Sequence, residues 1–178
     1  MSPSDKGPLD YIGCFAVTAG LGLEEWVTYY ESHLDDYSTI LLKILSDRLA
    51  EAFAERMHQL VRRDFWGYAR NEKLDITGIL KEEYSGIRPA PGYPACPEHS
   101  EKKVLFALLD AEKHTGISLT ENFAMYPAAS VCGFYFAHPK SHYFDLGKIG
   151  KDQVSDYAGR KKISVEQAEK LLNTNLNY

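Results

Sequence analysis

The sequence is poor in cysteine, in positive charge and in long apolar runs, and each shortage removes a class of function. Three cysteines, Cys14, Cys96 and Cys132, stand among 178 residues. A small secreted domain held by disulfides needs a denser, paired set, so the composition points to a reduced, cytoplasmic protein. No apolar stretch approaches the roughly 20 residues that a membrane span requires. The first eight residues are polar and lack the apolar centre of a signal peptide, and residues 1–9 read as a linker or boundary segment. The formal net charge is -5, which offers no basic face to nucleic acid. Repeats and an internal linker are also missing. What is there is ordinary globular composition, 44% hydrophobic and 25% charged, with tyrosine the commonest aromatic residue. The length suits a single domain with its own core, or a large piece of one.

Hydrophobic periodicity divides the rest. Tyr11 to Val17 is short and rich in β-branched and aromatic residues, which predicts a strand. Glu24 to Leu34 reads as a helix. Ser38 to Arg63 is the longest helical segment, with Leu42, Leu45, Leu49, Phe53 and Leu60 as an apolar stripe. Ile40 and Ile44 fall opposite, as on a helix sandwiched between layers. That second face then turns polar through Asp47, Glu51, Glu55, His58 and Arg62, which by itself reads as a solvated face. Asp75 to Tyr84 predicts a short helix, and Ser100 to His114 a longer one ended by a left-handed cap at Gly116. Leu119 to Asn122, Ser130 to Phe136 and Tyr143 to Gly147 read as strands, with a Pro139 connection between the last two. Asp152 to Lys161 is helical. Ser164 and Gln167 fit a capping box on a last short helix. Helices grouped before strands argue an α+β fold, one domain with an antiparallel sheet and flanking helices.

The least generic segment is Arg88 to Pro97, which holds four prolines within ten residues. Proline fixes φ, removes a donor and pushes the preceding residue to extended geometry. The stretch is therefore expected to be stiff and extended without being a sheet strand, with carbonyls that need partners. Gly92 allows a ligand to approach the backbone. Arg88 can clamp a carboxylate in bidentate fashion, and Tyr93 can stack or hydrogen-bond. The residues alone leave a docking loop and a ligand loop equally open. Cys96 and His99 have a ligand-like spacing, but a structural zinc site wants four ligands. Cys14 and Cys132 have no neighbouring Cys or His, so no metal site is expected. The prolines beside Cys96 suggest structure rather than a reactive thiol. His33, His58, His114 and His142 read as surface residues. Lys148, Lys151, Arg160, Lys161 and Lys162 form a basic group that reads either as a solvated face or as a patch for an acidic partner.

The run from Arg88 to Lys102 resembles, nearly residue for residue, the S-adenosylmethionine-binding stretch of the activation (reactivation) domain of cobalamin-dependent methionine synthases. Asp47 to Glu55, Tyr11 to Thr18, Gly133 to Pro139 and Asp152 to Ala158 resemble other segments of that domain in the same order. The resemblance spans nearly the whole chain. It identifies residues 10–178 with the C-terminal half of the family domain, whose other half carries a further acidic residue against the ligand's methionine end.

The resemblance implies binding of S-adenosylmethionine for reductive remethylation of cobalamin carried on a separate module, in the service of methionine synthesis. It implies two partners, the cobalamin-binding module and a flavodoxin-type or flavoprotein electron donor. The chemistry belongs to the cofactor, so no catalytic base or nucleophile is expected. Arg88 matches the arginine that takes the ligand's carboxylate. Ala90, Gly92 and Tyr93 match positions along the ligand, and Tyr143 and Phe144 match an aromatic pair. Glu51 and Glu82 match acidic residues near the sulfonium, where a fixed positive charge attracts carboxylates. Asp47 and His99 are implied contacts of the cobalamin-bearing domain. Two alternatives remain: a module that docks those partners without holding the ligand, and a reactivation domain serving another corrinoid methyltransferase.

Overall fold

Val131 to Phe136 runs with no charged residue, a pattern that suits a strand covered on both faces. The computed structural model describes residues 7 and 9–178, so most of the segment expected as a linker lies outside the described residues. In chain order the elements are β1 (Gly13–Thr18), α1 (Leu23–Ser32), α2 (Asp36–Leu60), α3 (Ile76–Leu80), α4 (Glu101–Leu109) and α5 (Ala111–Thr115). There follow β2 (Ser118–Leu119), β3 (Met125–Tyr126), β4 (Ser130–Tyr135), α6 (Lys151–Lys161) and α7 (Val165–Leu171). β1 pairs antiparallel with β4, from Gly13 opposite Tyr135 to Thr18 opposite Ser130. β2 and β3 form a two-residue antiparallel ladder. The architecture is α+β, as the order of elements predicts. Among the described residues no helix is long and apolar enough to cross a membrane.

Alternation along the strands builds three layers. Phe15, Val17, Val131 and Tyr135 face Ala50 and Ala54 of α2. Cys14, Ala16, Cys132 and Phe134 face Leu105 and Phe106 of α4, Ala111 of α5 and Ile117. β4 lies between the two helical layers, which accounts for its unbroken apolar run. A separate cluster of Ile149, Val154, Ala158, Ala168 and Leu172 joins α6 to α7. The predicted box opens α7: Gln167 N donates to Ser164 Oγ at 3.2 Å, and Ser164 N donates to Gln167 Oε1 at 3.1 Å.

The largest departure from the sequence reading is the orientation of α2. Its inner face is Thr39, Ser46, Ala50, Ala54 and His58, continued by fully buried Arg62 in the π-helical turn Val61–Phe65. Leu45, Leu49 and Phe53 are 51%, 61% and 44% exposed. Ile40 and Ile44 are exposed as well, so among the described residues no second layer covers that face of α2. Ala50 and Ala54, one turn apart, let the helix lie close on the sheet, and the larger side chains point away. The face expected to be solvated is in part the inner one. His58 and Arg62 are buried, Glu51 and Glu55 are half-buried, and only Asp47 is exposed.

Smaller differences follow from single residues. α3 is shorter than predicted and starts at the Asp75 cap, whose carboxylate accepts from Gly78 N at 2.8 Å. The helix expected over Ser100 to His114 breaks at Asp110, which sits at φ 47°; aspartate tolerates left-handed geometry better than most residues. Gly116 ends α5 at φ 72°, as expected. The strand expected at Leu119 to Asn122 keeps only Ser118–Leu119. Tyr143 to Gly147 has no ladder partner and forms no strand. It is tied instead by Leu146 N donating to Pro94 O at 3.1 Å.

Candidate functional site

The Pro-rich loop begins as a third strand-like segment on the free edge of β4. Ile87 and Phe136 exchange both backbone hydrogen bonds at 3.0 Å, and Phe134 N donates to Pro89 O at 2.9 Å. Gly133 permits this approach, since a Cβ there would lie 2.7 Å from Pro89 O. Beyond Ala90 the loop curls rather than staying extended. Tyr93 N donates to Ala90 O at 3.2 Å, Cys96 N to Tyr93 O at 2.8 Å, and Gly92 N to Cys96 O at 2.7 Å. Gly92 has φ 102°, and a Cβ there would meet His99 Cε1 at 2.4 Å. The glycine therefore serves the loop's shape.

The loop, α2, the Glu82 turn and the Tyr143 segment enclose a cleft of about 550 Å³. Its lining is Glu51, Glu82, Arg88, Pro89, Ala90, Tyr93, Pro94, Ala95, Val131, Tyr143, Phe144 and Asp145. The structure thus brings together the predicted residues Arg88, Ala90, Tyr93, Tyr143, Phe144, Glu51 and Glu82. Gly92 is not in the lining. His99 is exposed and packs under Gly92. Asp47 lines a shallower groove that shares Glu51 and Val131 with the cleft. Sequence reasoning did not single out Pro89, Pro94 and Ala95 within the loop, and it missed Asp145 and Val131 outside it. Asp145 directly follows the aromatic pair and was open to suspicion; Val131 carried no signal beyond its strand.

Arg88 is fixed at both ends. Its backbone N donates to the Tyr143 hydroxyl at 3.0 Å, and its Nη2 donates to Glu55 Oε2 at 2.9 Å. Burial opposes the guanidinium's charge, but the Glu55 carboxylate outweighs it and holds the Arg88 pKa above its ordinary value. Arg88 Nε is buried and has no hydrogen-bond partner among the described residues. Burial, and then the charge and hydrogen bond of Glu51 on α2, raise the pKa of the Tyr93 phenol in the loop.

Beneath the cleft lies a buried polar layer. Arg62 is 0% exposed, and its Nε and Nη2 donate to Glu72 Oε2 and Oε1, both at 2.8 Å. The Arg62 guanidinium sits 4.2 Å from the Tyr84 ring centroid. His58 stacks on Tyr135 at 5.2 Å and meets the Tyr84 ring at 5.0 Å, edge to face. Burial, then Arg62 and Arg88, push the His58 pKa down to about 3. Burial raises the Tyr84 and Tyr135 phenols well above the usual range, and lifts Tyr68 to about 12. His58 is thus a buried neutral ring and not the surface residue that was expected.

Two other expectations meet the structure here. Cys96 is half-buried, and burial, then Glu101 and Glu98, raise its thiol pKa, so its surroundings do not activate it. Part of the basic group near the C-terminus is engaged within the chain. Lys161 donates to Glu98 Oε2 at 2.7 Å and also pairs with Glu101, and Tyr157 donates to Glu98 at 3.0 Å. Arg160 pairs with Asp156 at 2.8 Å, and Lys151 lies over the Tyr178 ring.

Among the described residues no serine, cysteine, histidine or lysine lines the cleft. It carries one guanidinium with an unpartnered buried Nε, three carboxylates and aromatic walls. Its volume lies in the range of small-molecule sites. Such a set fits a zwitterionic or cationic small molecule that bears its own carboxylate.

The model of the family described as vitamin B12 dependent methionine synthase, activation domain, matches residues 1–162. A crystal structure of the MetH reactivation domain bound to AdoHcy superposes with a TM-score of 0.91 at 55% sequence identity. That match covers 94% of this chain and 51% of the other, so this chain spans about half the length of that relative.

Proposed function

The chain belongs to the activation-domain family of vitamin B12-dependent methionine synthases, and on that premise we propose that its cleft binds S-adenosylmethionine and presents the methyl group for reductive remethylation of cobalamin. The observation that carries this reading is the charge arrangement of the cleft, with Arg88 for the ligand's carboxylate and Glu51 and Glu82 for its positive groups. The AdoHcy in the relative's structure is the same ligand without the transferred methyl group. When bound, S-adenosylmethionine supplies a methyl group on a cationic sulfur. The protein's part is to fix that sulfur, keep carboxylates near it and leave the methyl accessible. The pyrrolidine and tyrosine walls restrict water around the charges and so strengthen their interaction.

The reading requires a cobalamin-bearing module and a flavodoxin-type or flavoprotein electron donor as partners. Asp47, exposed in the groove beside the cleft, and His99, exposed on the loop's far side, are the proposed contacts of the cobalamin module. Residues 10–178 are the proposed C-terminal half of the activation domain. A second reading, docking without ligand binding, draws on the 51% coverage of the relative.

Calorimetric titration with S-adenosylmethionine separates the two readings, and a Glu51→Gln variant probes the sulfonium directly. Loss of that carboxylate is expected to weaken S-adenosylmethionine about tenfold, or ~1.4 kcal/mol, and its neutral thioether AdoHcy much less. Equal weakening of both ligands would remove Glu51 from the sulfonium.

A further inference from the structure

Glu55 does not line the cleft, yet it makes the closest contact to the cleft's guanidinium. It lies one helical turn beyond Glu51 on α2. Its Oε2 accepts from Arg88 Nη2 at 2.9 Å, and its Oε1 lies 3.8 Å from Arg62 Nη1. Arg62 is immobilised in turn, fully buried and held through two 2.8 Å bonds by Glu72. The result is a row of alternating charge, Glu72, Arg62, Glu55, Arg88, running from the interior to the cleft floor.

We propose that Glu55 is a positioning residue that holds the Arg88 guanidinium for the carboxylate of an amino-acid-bearing ligand, which completes the alternating row. This rests on the ligand reading above. Two observations and a general property of arginine support it. Glu55 engages only one nitrogen of Arg88 and leaves the buried Nε without a partner. The row as it stands holds two guanidiniums and two carboxylates and is neutral overall, and Arg88 is the member that lines the cleft, where an incoming anion meets it first. Arginine is a flexible side chain whose planar fork gains most when it is pre-organised.

Positioning and simple charge predict opposite results, which makes the idea testable on the whole chain. Removing a negative charge beside Arg88 ought, by Coulomb's law alone, to tighten binding of an anionic group. Loss of positioning weakens it. The experiment is calorimetric titration of wild type, Glu55→Gln, Glu55→Asp and Arg88→Ala with AdoHcy and with 5′-methylthioadenosine, which lacks the carboxylate. Glu55→Gln is expected to bind AdoHcy about tenfold more weakly and 5′-methylthioadenosine as wild type does. Glu55→Asp, which keeps the charge on a shorter arm, is expected to fall between and decides the matter if the Gln variant does not fold. Equal loss for both ligands, which mere structural damage gives, overturns the proposal, as does unchanged or tighter AdoHcy binding. If Arg88→Ala loses AdoHcy while both Glu55 variants match wild type, only the role of Glu55 fails. If wild type binds neither ligand, the ligand reading fails and this proposal with it.

Discussion

Glu72→Ala is expected to lower the melting temperature by about 10 °C or more, from a loss of ~3–5 kcal/mol. The reason is what the change leaves behind. Arg62 is 0% exposed and makes two 2.8 Å hydrogen bonds to Glu72, whose own side chain is 7% exposed. Without that carboxylate, a guanidinium stays in the interior with Glu55 at 3.8 Å and the Tyr84 face as its remaining support. Breaking one side of a buried pair costs far more than the pair contributes net. The exposed pair Lys43–Glu31, 3.3 Å apart with both side chains about half exposed, is the internal control. Glu31→Ala is expected to cost under ~1 kcal/mol. Thermal unfolding of both variants checks the contrast, and equal effects would show that the Arg62 layer is not the anchor described here.

The fold is expected to weaken as pH falls from 6.5, through His58. The ring is fully buried, and its pKa drops from 6.5 unfolded to about 3 folded. Between those values the unfolded chain binds a proton that the folded chain refuses, so stability rises with pH across the window. The contribution is complete above pH 6.5 and is lost as pH falls towards 3, amounting to about 5 kcal/mol. By pH 5 about 2 kcal/mol is gone. Arg62 from the same helical run, Arg88 and Tyr84 from the loop side, Tyr135 from β4 and Tyr68 surround the ring. Glu98 acts lower: burial works against its charge, but Lys161 and the Ser100 bonds hold its pKa below 4.5, so its contribution is lost only below that value. His99, whose pKa burial and then Lys102 also lower from 6.5, adds to any difference between pH 7 and pH 5, so urea unfolding at the two values is compared with a His58 variant. His58→Gln is expected to flatten the difference between the two pH values, and an undiminished difference would assign it elsewhere.

Local signals in the sequence are legible where a single residue type decides the geometry. Ser164 with Gln167 specifies its capping box, Gly116 its left-handed helix end, and the apolar run over Ser130 to Phe136 a strand. α2 shows where such reading stops. Periodicity finds an apolar stripe but not the direction it faces. Ala50 and Ala54 are small enough to seat the helix on the sheet, and the Leu45–Leu49–Phe53 row points outward as a consequence. The burial of His58 and Arg62 was illegible for a related reason. Their partners Glu72, Tyr84, Arg88 and Tyr135 are distant in sequence or lie on other elements, and no local pattern reports those contacts. Tyr143 to Gly147 has strand composition without a strand partner, so its role is carried by the Tyr143 hydroxyl on Arg88 N instead.

The site was legible in a different way. From its residues alone the Arg88 to Pro97 loop stood undecided between docking and ligand binding. Resemblance of the whole run to one family selected the ligand reading, and it also drew Glu51 and Glu82 to the same cleft from segments far apart in sequence. Gly92 is the exception, because its positive φ and contact with His99 serve the turn and not the lining. Glu55 could not be found by matching. Its part emerges only when Arg88, Arg62 and Glu72 are seen in one row.

Titration of the folded chain with S-adenosylmethionine, beside its Arg88→Ala variant, tests the central claim most directly. Measurable one-to-one binding by the wild type is predicted, weakened about 100-fold or more in Arg88→Ala by loss of a charge-assisted pair to the carboxylate. No heat from well-folded wild type, or equal affinity in the variant, would contradict it.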